Sequence, residues 1–124
     1  ILWQRQMNRA LNAINLTHTQ FVILVSLGWL SVRYKNVTQK DIAENSNTDR
    51  MMVSKILRTL QKNEVIDRKE HETDTRAKCV YLTRKGTEVL KKAIEISANV
   101  NDVYFKKLSN KQNFKEELRS IIEL

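Results

Sequence analysis

The sequence from Val65 to Gly86 reads VIDRKEHETDTRAKCVYLTRKG, and it interrupts a chain that is otherwise patterned for helices. Val65–Arg68 and Cys79–Leu82 are short segments with β-branched or aromatic residues, which is typical of strands. The residues between them, 69–78, are polar and charged and cannot build a core. The sequence therefore predicts a two-stranded hairpin with a charged loop.

A helix-turn-helix pattern precedes the hairpin. Thr38 begins a capping-box pattern before a short helix over residues 40–44, and Asn45–Asn47 are typical of a turn. Thr48 or Asp49 can then cap a second helix. The apolar residues of that helix are Met52, Val53, Ile56, Leu57 and Leu60. A helix-turn-helix followed by a hairpin is a winged helix-turn-helix.

Longer helices flank this motif. Residues 1–14 form an amphipathic helix, and a capping-box pattern opens a strongly apolar helix over Thr17–Val32. Thr83 caps a helix over about 84–108, and the last helix covers 109–124. The chain has no proline and only two glycines, which favours long helices. We expect a mainly α fold with a small β-wing, a winged helix-turn-helix with N- and C-terminal dimerisation helices.

The length of 124 residues predicts a single unit over 1–124. Within it, 17–87 form the winged helix-turn-helix lobe, and 1–16 and 88–124 form the dimerisation helices. The terminal helices hold more apolar residues than one small lobe can cover, and exposed patches of that size mark interfaces. We therefore expect an obligate two-fold homodimer. The apolar residues concerned are Leu2, Met7, Leu11, Ile94, Val103, Phe105, Phe114, Leu118, Ile121 and Leu124.

Positive charge is concentrated around the hairpin. The chain has 22 basic and 14 acidic residues, and residues 49–92 hold twelve of the basic and seven of the acidic groups. This balance favours a polyanionic partner, with nucleic acid ahead of an anionic membrane. No apolar run approaches the roughly 18 residues that a membrane helix needs. The single Cys79 fits a reducing cytosol, so we expect a cytoplasmic protein with no membrane partner.

The outer face of the second motif helix is basic. Val53, Leu57 and Leu60 lie at i, i+4 and i+7 and so face inward. Helices that enter the major groove read bases with their N-terminal residues, and Arg or Lys suits guanine O6 and N7. The alternative interpretation is an ordinary solvated surface. The outward residues are Arg50, Met51, Ser54, Lys55 and Arg58.

The hairpin loop offers a second contact with DNA, through Lys69, His71, Arg76 and Lys78. An exposed arginine at a hairpin tip can enter a minor groove, where narrow A·T tracts concentrate negative potential. Asp74, two residues before Arg76, can hold the guanidinium group in place. The alternative is a plain charged turn.

The segment Asp74–Gly86 resembles the wing signature of the MarR family, in which Asp-x-Arg is followed by Leu-Thr-x-x-Gly. Ile42–Glu44, Val53–Lys55 and Ile66–Arg68 resemble the family's motif helices and first wing strand. Leu16–Leu24 resembles the helix before them. The resemblance extends in register over nearly the whole chain.

The resemblance implies a homodimeric repressor that binds double-stranded DNA at a pseudopalindromic operator. It implies that Arg76 is the minor-groove arginine, that Asp74 positions it, and that residues 49–58 enter the major groove. Family members carry Gly where this chain has Glu64, so the left-handed turn either moves to Asn63 or costs about 1 kcal/mol. The full predicted DNA-binding set is Thr38, Asp49, Arg50, Met51, Ser54, Lys55, Arg58, Lys69, His71, Asp74, Arg76 and Lys78.

An effector pocket is a further implication of the resemblance, because some such regulators bind small aromatic ligands between the dimer helices and the DNA-binding lobe. The alternative is that the candidate side chains are simply core. We expect no cofactor and no metal, since neither His18 nor His71 has ligands at metal spacing. His18 is expected to cap or pack, and Cys79 to be inert. The candidate pocket residues are Trp3, Met7, Phe21 and Trp29.

Other functional classes have less support. An enzyme needs a convergent polar constellation, and the sequence has no Gly-rich phosphate loop, metal set or nucleophile–base motif. A winged helix used for protein–protein contact and an architectural DNA binder without effector control are the alternatives left open. The basic segment 49–92 argues against the first, and a single defined pseudopalindromic footprint would exclude the second.

Overall fold

The computed structural model describes residues 2–70, 73 and 77–104. Within those residues the chain forms five helices and one two-stranded sheet, which confirms the mainly α fold with a small β-wing. The elements are α1 (Leu2–Asn12), α2 (His18–Arg33), α3 (Gln39–Ser46), α4 (Arg50–Lys62), β1 (Ile66–Glu70), β2 (Lys78–Leu82) and α5 (Arg84–Tyr104).

Helix α2 lies at the centre of the core because it is apolar on most sides. Thr17 caps it through a capping box with Gln20, as the sequence predicts. Leu24 and Leu27 are fully buried. They belong to one hydrophobic cluster that includes residues of every helix and both strands. The motif helices are therefore packed on the same core as α1 and α5.

Helix α3 begins at a capping box, in which Thr38 Oγ1 accepts the N–H of Asp41 and the Asp41 carboxylate accepts the N–H of Thr38. The turn that follows lies later than predicted, because α3 still includes Asn45 and Ser46. Asn47 ends the helix with a left-handed backbone (φ 52°), a conformation that asparagine tolerates.

Helix α4 is capped by Asp49, which decides between the two predicted caps. The carboxylate accepts the backbone N–H of Met52 at 3.2 Å. Val53, Leu57 and Leu60 are at most 1% exposed, so the predicted inward face is confirmed. The Met52 side chain is 48% exposed, however, so its assignment to the apolar face is wrong. It lies at the edge of that face, where the core does not cover it.

Strands β1 and β2 form an antiparallel wing that is longer than predicted. Lys69 of β1 pairs with Cys79 of β2. β1 begins at Ile66, one residue later than predicted, and extends to Glu70, while β2 begins at Lys78. Lys69, Glu70 and Lys78 were predicted to lie in the loop, but the ends of a strand depend on its cross-strand partners as well as on composition. Positions 71–72 and 74–76 lie outside the described residues.

Thr83 and Gly86 join the start of α5 to the start of β1. Thr83 Oγ1 accepts the N–H of Gly86 at 2.9 Å and donates to the carbonyl of Glu64 at 2.6 Å. A Cβ atom at Gly86 would lie 1.8 Å from the carbonyl oxygen of Val65. In the Leu-Thr-x-x-Gly part of the wing signature, the Thr83 hydroxyl thus links α5 to the segment before β1. Gly86 leaves the space that the backbone of Val65 occupies.

The second residue after α4, Glu64, adopts the left-handed conformation although it is not a glycine. Glu64 has φ 62° and Asn63 has φ −86°, so the turn has not moved. The N–H of Val65 donates to the carbonyl of Leu60 at 2.9 Å, and Lys85 Nζ donates to the carbonyl of Asn63 at 2.9 Å. These contacts hold Glu64 in a conformation that costs an L-residue about 1–2 kcal/mol.

Helix α1 packs mainly against α5. Met7, Leu11 and Ile94 are at most 2% exposed, so the core of one chain already covers them. Their predicted contribution to an exposed apolar surface is therefore wrong. The end of the predicted 84–108 helix, the final predicted helix and the apolar residues they carry lie outside the described residues.

Candidate nucleic-acid interface

The outward face of α4 is exposed and basic. Arg50, Lys55 and Arg58 are exposed and Ser54 is half-buried. Met51 lies among them and is 73% exposed. The predicted orientation of the helix is confirmed, and its outward residues offer both hydrogen-bond donors and apolar contacts to a partner.

Asp49 has a structural role at the start of this face. Its carboxylate satisfies the N–H of Met52, one of the N–H groups that have no partner inside the helix. An anion also interacts favourably with the N-terminal end of a helix dipole. Asp49 thus orders the first turn of α4 and places Arg50 beside it.

A concave site of about 470 Å³ lies where α3, α4 and the wing meet. Lys40, Arg50 and Lys78 line it, and no Asp or Glu is among the described residues that do so. The N-terminus of α3 also borders it, and helix N-termini attract anions. The other lining residues are Thr38, Gln39 and Ala77. The site therefore has the charge and the donors to hold a phosphate group.

Lys40 and Gln39 were not predicted as site residues. Their positions in the first turn of α3, directly after the Thr38 cap, were the available signal. The predicted helix begins at Lys40 and leaves Gln39 outside it, and only the packing of α3 against the wing shows which way this turn faces.

Arg68 connects β1 to both helices of the motif. Its Nε donates to Gln61 Oε1 at 2.7 Å, and its Nη1 donates to Gln39 Oε1 at 2.7 Å. One guanidinium group therefore links the wing to the end of α4 and to the start of α3. The sequence identified Arg68 only as a strand residue, because neither glutamine partner can be recognised from spacing.

The wing cations are described only in part. Lys69 and Lys78 are exposed on adjacent strands, and Lys69 Nζ lies 5.8 Å from the centroid of the Tyr81 ring. The Lys69 ammonium group therefore lies near the Tyr81 ring of β2. Lys78 lines the concave site instead. The predictions for His71, Asp74 and Arg76 lie outside the described residues.

Part of the predicted effector pocket is a packed aromatic cluster. The His18 ring lies 6.2 Å from the Trp3 ring and 6.3 Å from the Phe21 ring, measured between centroids. Trp3 Nε1 also donates to Asn101 Oδ1 at 3.0 Å. Met7 and Phe21 are buried in the core. His18 packs against these two rings, which is one of the two roles predicted for it, capping or packing.

Trp29 does not join this cluster. It lies eight residues after Phe21 on α2, which separates the two by roughly 12 Å along the helix. The Arg33 guanidinium carbon lies 3.7 Å from the centroid of a Trp29 ring. Trp29 instead borders an open concave site that Tyr34 and Glu44 also line. Trp29 therefore lies apart from the cluster that Trp3 and Phe21 form with His18.

The described residues contain no group of three His, Cys, Asp or Glu side chains that could hold a metal ion. Cys79 is fully buried in β2. None of the helices in the described part of the chain combines the length and hydropathy of a bilayer-spanning segment.

Comparisons with known proteins identify the family. Residues 16–78 match the sequence model of the MarR family. The HTH-type transcriptional regulator YdcH of Bacillus subtilis (strain 168) is 36% identical over 121 residues, which are 98% of this chain and 82% of that protein.

Solved structures show the same fold. The complex of S. aureus MepR with DNA has a TM-score of 0.75 at 25% identity, covering 96% of this chain and 84% of that one. A mutant MarR from E. coli complexed with operator DNA has a TM-score of 0.76 at 18% identity, covering 99% of this chain and 86% of that one. The chain belongs to the MarR family of winged helix-turn-helix transcriptional regulators, and it is a regulator rather than an enzyme.

Proposed function

We propose that this chain is a sequence-specific regulator that binds double-stranded DNA as a homodimer. Helix α4, called the recognition helix from here on, enters the major groove, and the wing enters the minor groove. The observation that carries this proposal is the joined basic surface formed by the outward face of α4 and the concave site beside it. The known complexes of MepR and MarR with DNA support it.

The concave site is proposed to bind a backbone phosphate. In helix-turn-helix proteins the first motif helix crosses the DNA backbone while the second reads the bases. Lys40 lies on α3, the first motif helix, and Lys78 lies on the wing, and both line the same site. We therefore add Lys40 to the predicted DNA-binding residues.

The dimer is proposed to form through the predicted terminal segments 1–16 and 88–124, with 17–87 as the DNA-binding lobe. A two-fold dimer presents two recognition helices to two half-sites, about one helical turn of DNA apart. Sedimentation velocity at micromolar concentration tests this: a stable monomer would overturn it.

We further propose that the regulator is a cytoplasmic repressor whose DNA binding is relieved by a small aromatic ligand. Trp3 and Phe21, joined through His18, border the packing of α1 against the rest of the chain. A ligand that separates these rings would shift α1 relative to the lobe. Trp29 lies outside this aromatic cluster, roughly 12 Å further along α2 than Phe21.

Selection of bound duplexes from a random-sequence library tests the function directly. We expect one enriched pseudopalindrome, which resists competitor DNA in a gel-shift and gives one defined footprint. Retention without enrichment would indicate an architectural DNA binder. Absence of binding at low salt would overturn the proposal and favour a protein–protein module.

A further inference from the structure

Two methionines are exposed side by side at the start of the recognition helix. Met51 is 73% exposed and Met52 is 48% exposed, and the large exposed hydrophobics recorded elsewhere in the described residues are Val32 and Tyr34. A single exposed apolar side chain needs no explanation. Two neighbours within a basic, outward-facing helix turn are different, because they place apolar surface where a polyanion is expected to bind.

The helix geometry directs Met51 away from the core. Successive residues are about 100° apart around a helix axis. The buried residues of α4 define its inward side, and Met51 lies nearly opposite that direction. Lys55 and Arg58 lie on either side of Met51, and Met52 lies toward the flank of the helix. Met51 is therefore central on the face that would enter the groove, and the basic residues surround it.

The first turn is also where a recognition helix reaches base edges. The Asp49 carboxylate holds this turn through the N–H of Met52 at 3.2 Å. The backbone of both methionines is thus fixed before DNA arrives, while their side chains keep the rotatable bonds that let methionine fit irregular apolar surfaces.

The chemistry of the two side chains matches one feature of the major groove. A thioether cannot donate a hydrogen bond and accepts only weakly, so it cannot read guanine as Arg or Lys can. The apolar feature exposed in the major groove is the 5-methyl group of thymine. We propose that Met51, with Met52 beside it, selects thymine in each half-site by burying that methyl group. This proposal rests on the proposed function.

Replacing thymine by deoxyuridine tests the contact, because it removes the methyl group and keeps the pairing edge. Duplexes selected by the homodimer from a random library are resynthesised with thymine or with deoxyuridine, and binding is measured by fluorescence anisotropy. We expect binding to weaken about fourfold for each methyl group that the methionines bury. Single replacements along the site should place the loss at symmetric positions in the two half-sites.

Variants assign the effect to the side chains. In M51A/M52A the two duplexes should bind equally, whereas M51L should keep the preference for thymine. Val32→Ala, which removes an exposed apolar group from α2, should also keep it. Thermal melting checks that each variant is folded. If M51A/M52A does not fold, M51L still tests the proposal, because loss of the thymine preference in M51L would contradict it.

The outcomes separate the two proposals. If the wild-type homodimer selects and binds no DNA, the proposed function fails. If it binds tightly but thymine and deoxyuridine duplexes bind equally, only the methyl contact is overturned. If M51A/M52A keeps the full thymine preference, the preference has another source and the role of the methionines is overturned.

Discussion

Thr38 and Cys79 lie opposite each other in an isolated antiparallel bridge that joins the start of α3 to β2. In the same contact the N–H of Val80 donates to the carbonyl of Val37 at 2.7 Å. Because Thr38 also caps α3, the wing and the first motif helix share one fixed point. The concave site, which Lys78 and Thr38 both line, therefore keeps its shape only while the wing stays attached to α3.

The Arg68 bridge is expected to contribute both to DNA binding and to folding. Arg68→Ala removes the bonds to Gln39 and Gln61, so the wing can move relative to both motif helices. We expect about a three- to tenfold loss of affinity for selected DNA and about 1 kcal/mol less unfolding free energy. Anisotropy titrations and urea unfolding measure the two effects.

Arg84→Ala is the matched control for charge, because Arg84 is exposed at the start of α5. It removes the same charge without removing the bridge. Equal losses of affinity in the two variants would mean that Arg68 acts through its charge alone.

Gly86 is expected to tolerate no side chain. The Cβ of Gly86→Ala would overlap the carbonyl oxygen of Val65, so either β1 or α5 must shift. We expect a loss of about 1–3 kcal/mol in unfolding free energy, the usual range for overpacking. Glu88→Ala, at an exposed position on α5, should change stability little. Wild-type stability in Gly86→Ala would contradict the close approach of the two segments.

Glu64→Gly is expected to stabilise the protein. Glycine removes the cost of φ 62° but loses more backbone entropy on folding, so the net gain should be about 0.5–1 kcal/mol. Asn63→Gly is the control, because Asn63 has a negative φ and gains nothing from glycine. Chemical denaturation of both variants decides the point, and a loss of stability in Glu64→Gly would mean that the turn is not strained.

Local signals predicted the helix starts correctly. Thr17 and Thr38 cap their helices by bonds to residues three positions later, so the information lies within one turn. The amphipathic spacing of α4 likewise predicted its buried face, apart from Met52 at the edge. Turn positions were less accurate, since Asn45 and Asn47 are the same residue type and only one adopts the left-handed conformation.

Long-range packing could not be predicted in the same way. Arg68 meets its two glutamines only after α3, α4 and β1 have assembled. Met7 and Ile94 have the apolar character of interface residues, but the packing of α1 on α5 buries them within one chain. The sequence shows that an apolar side chain will be buried, but only the fold shows whether its own chain or a second subunit buries it.

Salt dependence should show how many phosphates the basic surface contacts. If the two subunits together neutralise roughly six to ten phosphates, affinity should fall by about three to five decades between 50 and 200 mM salt. Lys40→Ala and Lys78→Ala each remove one cation per subunit from the concave site. Each should make the negative slope of log K against log salt less steep by about 2 for the dimer. If the salt dependence is unchanged in both variants, the concave site does not bind a DNA phosphate.

Mutations in the recognition helix and in the wing are expected to change DNA binding in different ways. Arg50 and Lys55 lie on the exposed face of the recognition helix, where they can reach base edges. Replacing either by Ala should cost about 1–3 kcal/mol and relax the preference at one base position in each half-site. Arg76, assigned from the wing signature, would sit in the minor groove, which is read by width and potential.

Arg76→Ala should therefore weaken binding to all sequences and abolish any preference for A·T flanks. Asp74→Ala should act in the same direction but less strongly, because the arginine remains and loses only its positioning partner. A panel of these variants, titrated at fixed salt against operators that differ at single base pairs, separates the two patterns. Because Arg76 carries the most specific part of the family signature, wild-type binding by a folded Arg76→Ala variant would refute the wing contact. If Arg76→Ala instead loses preference at one base position only, Arg76 contacts a base and does not read the shape of the groove.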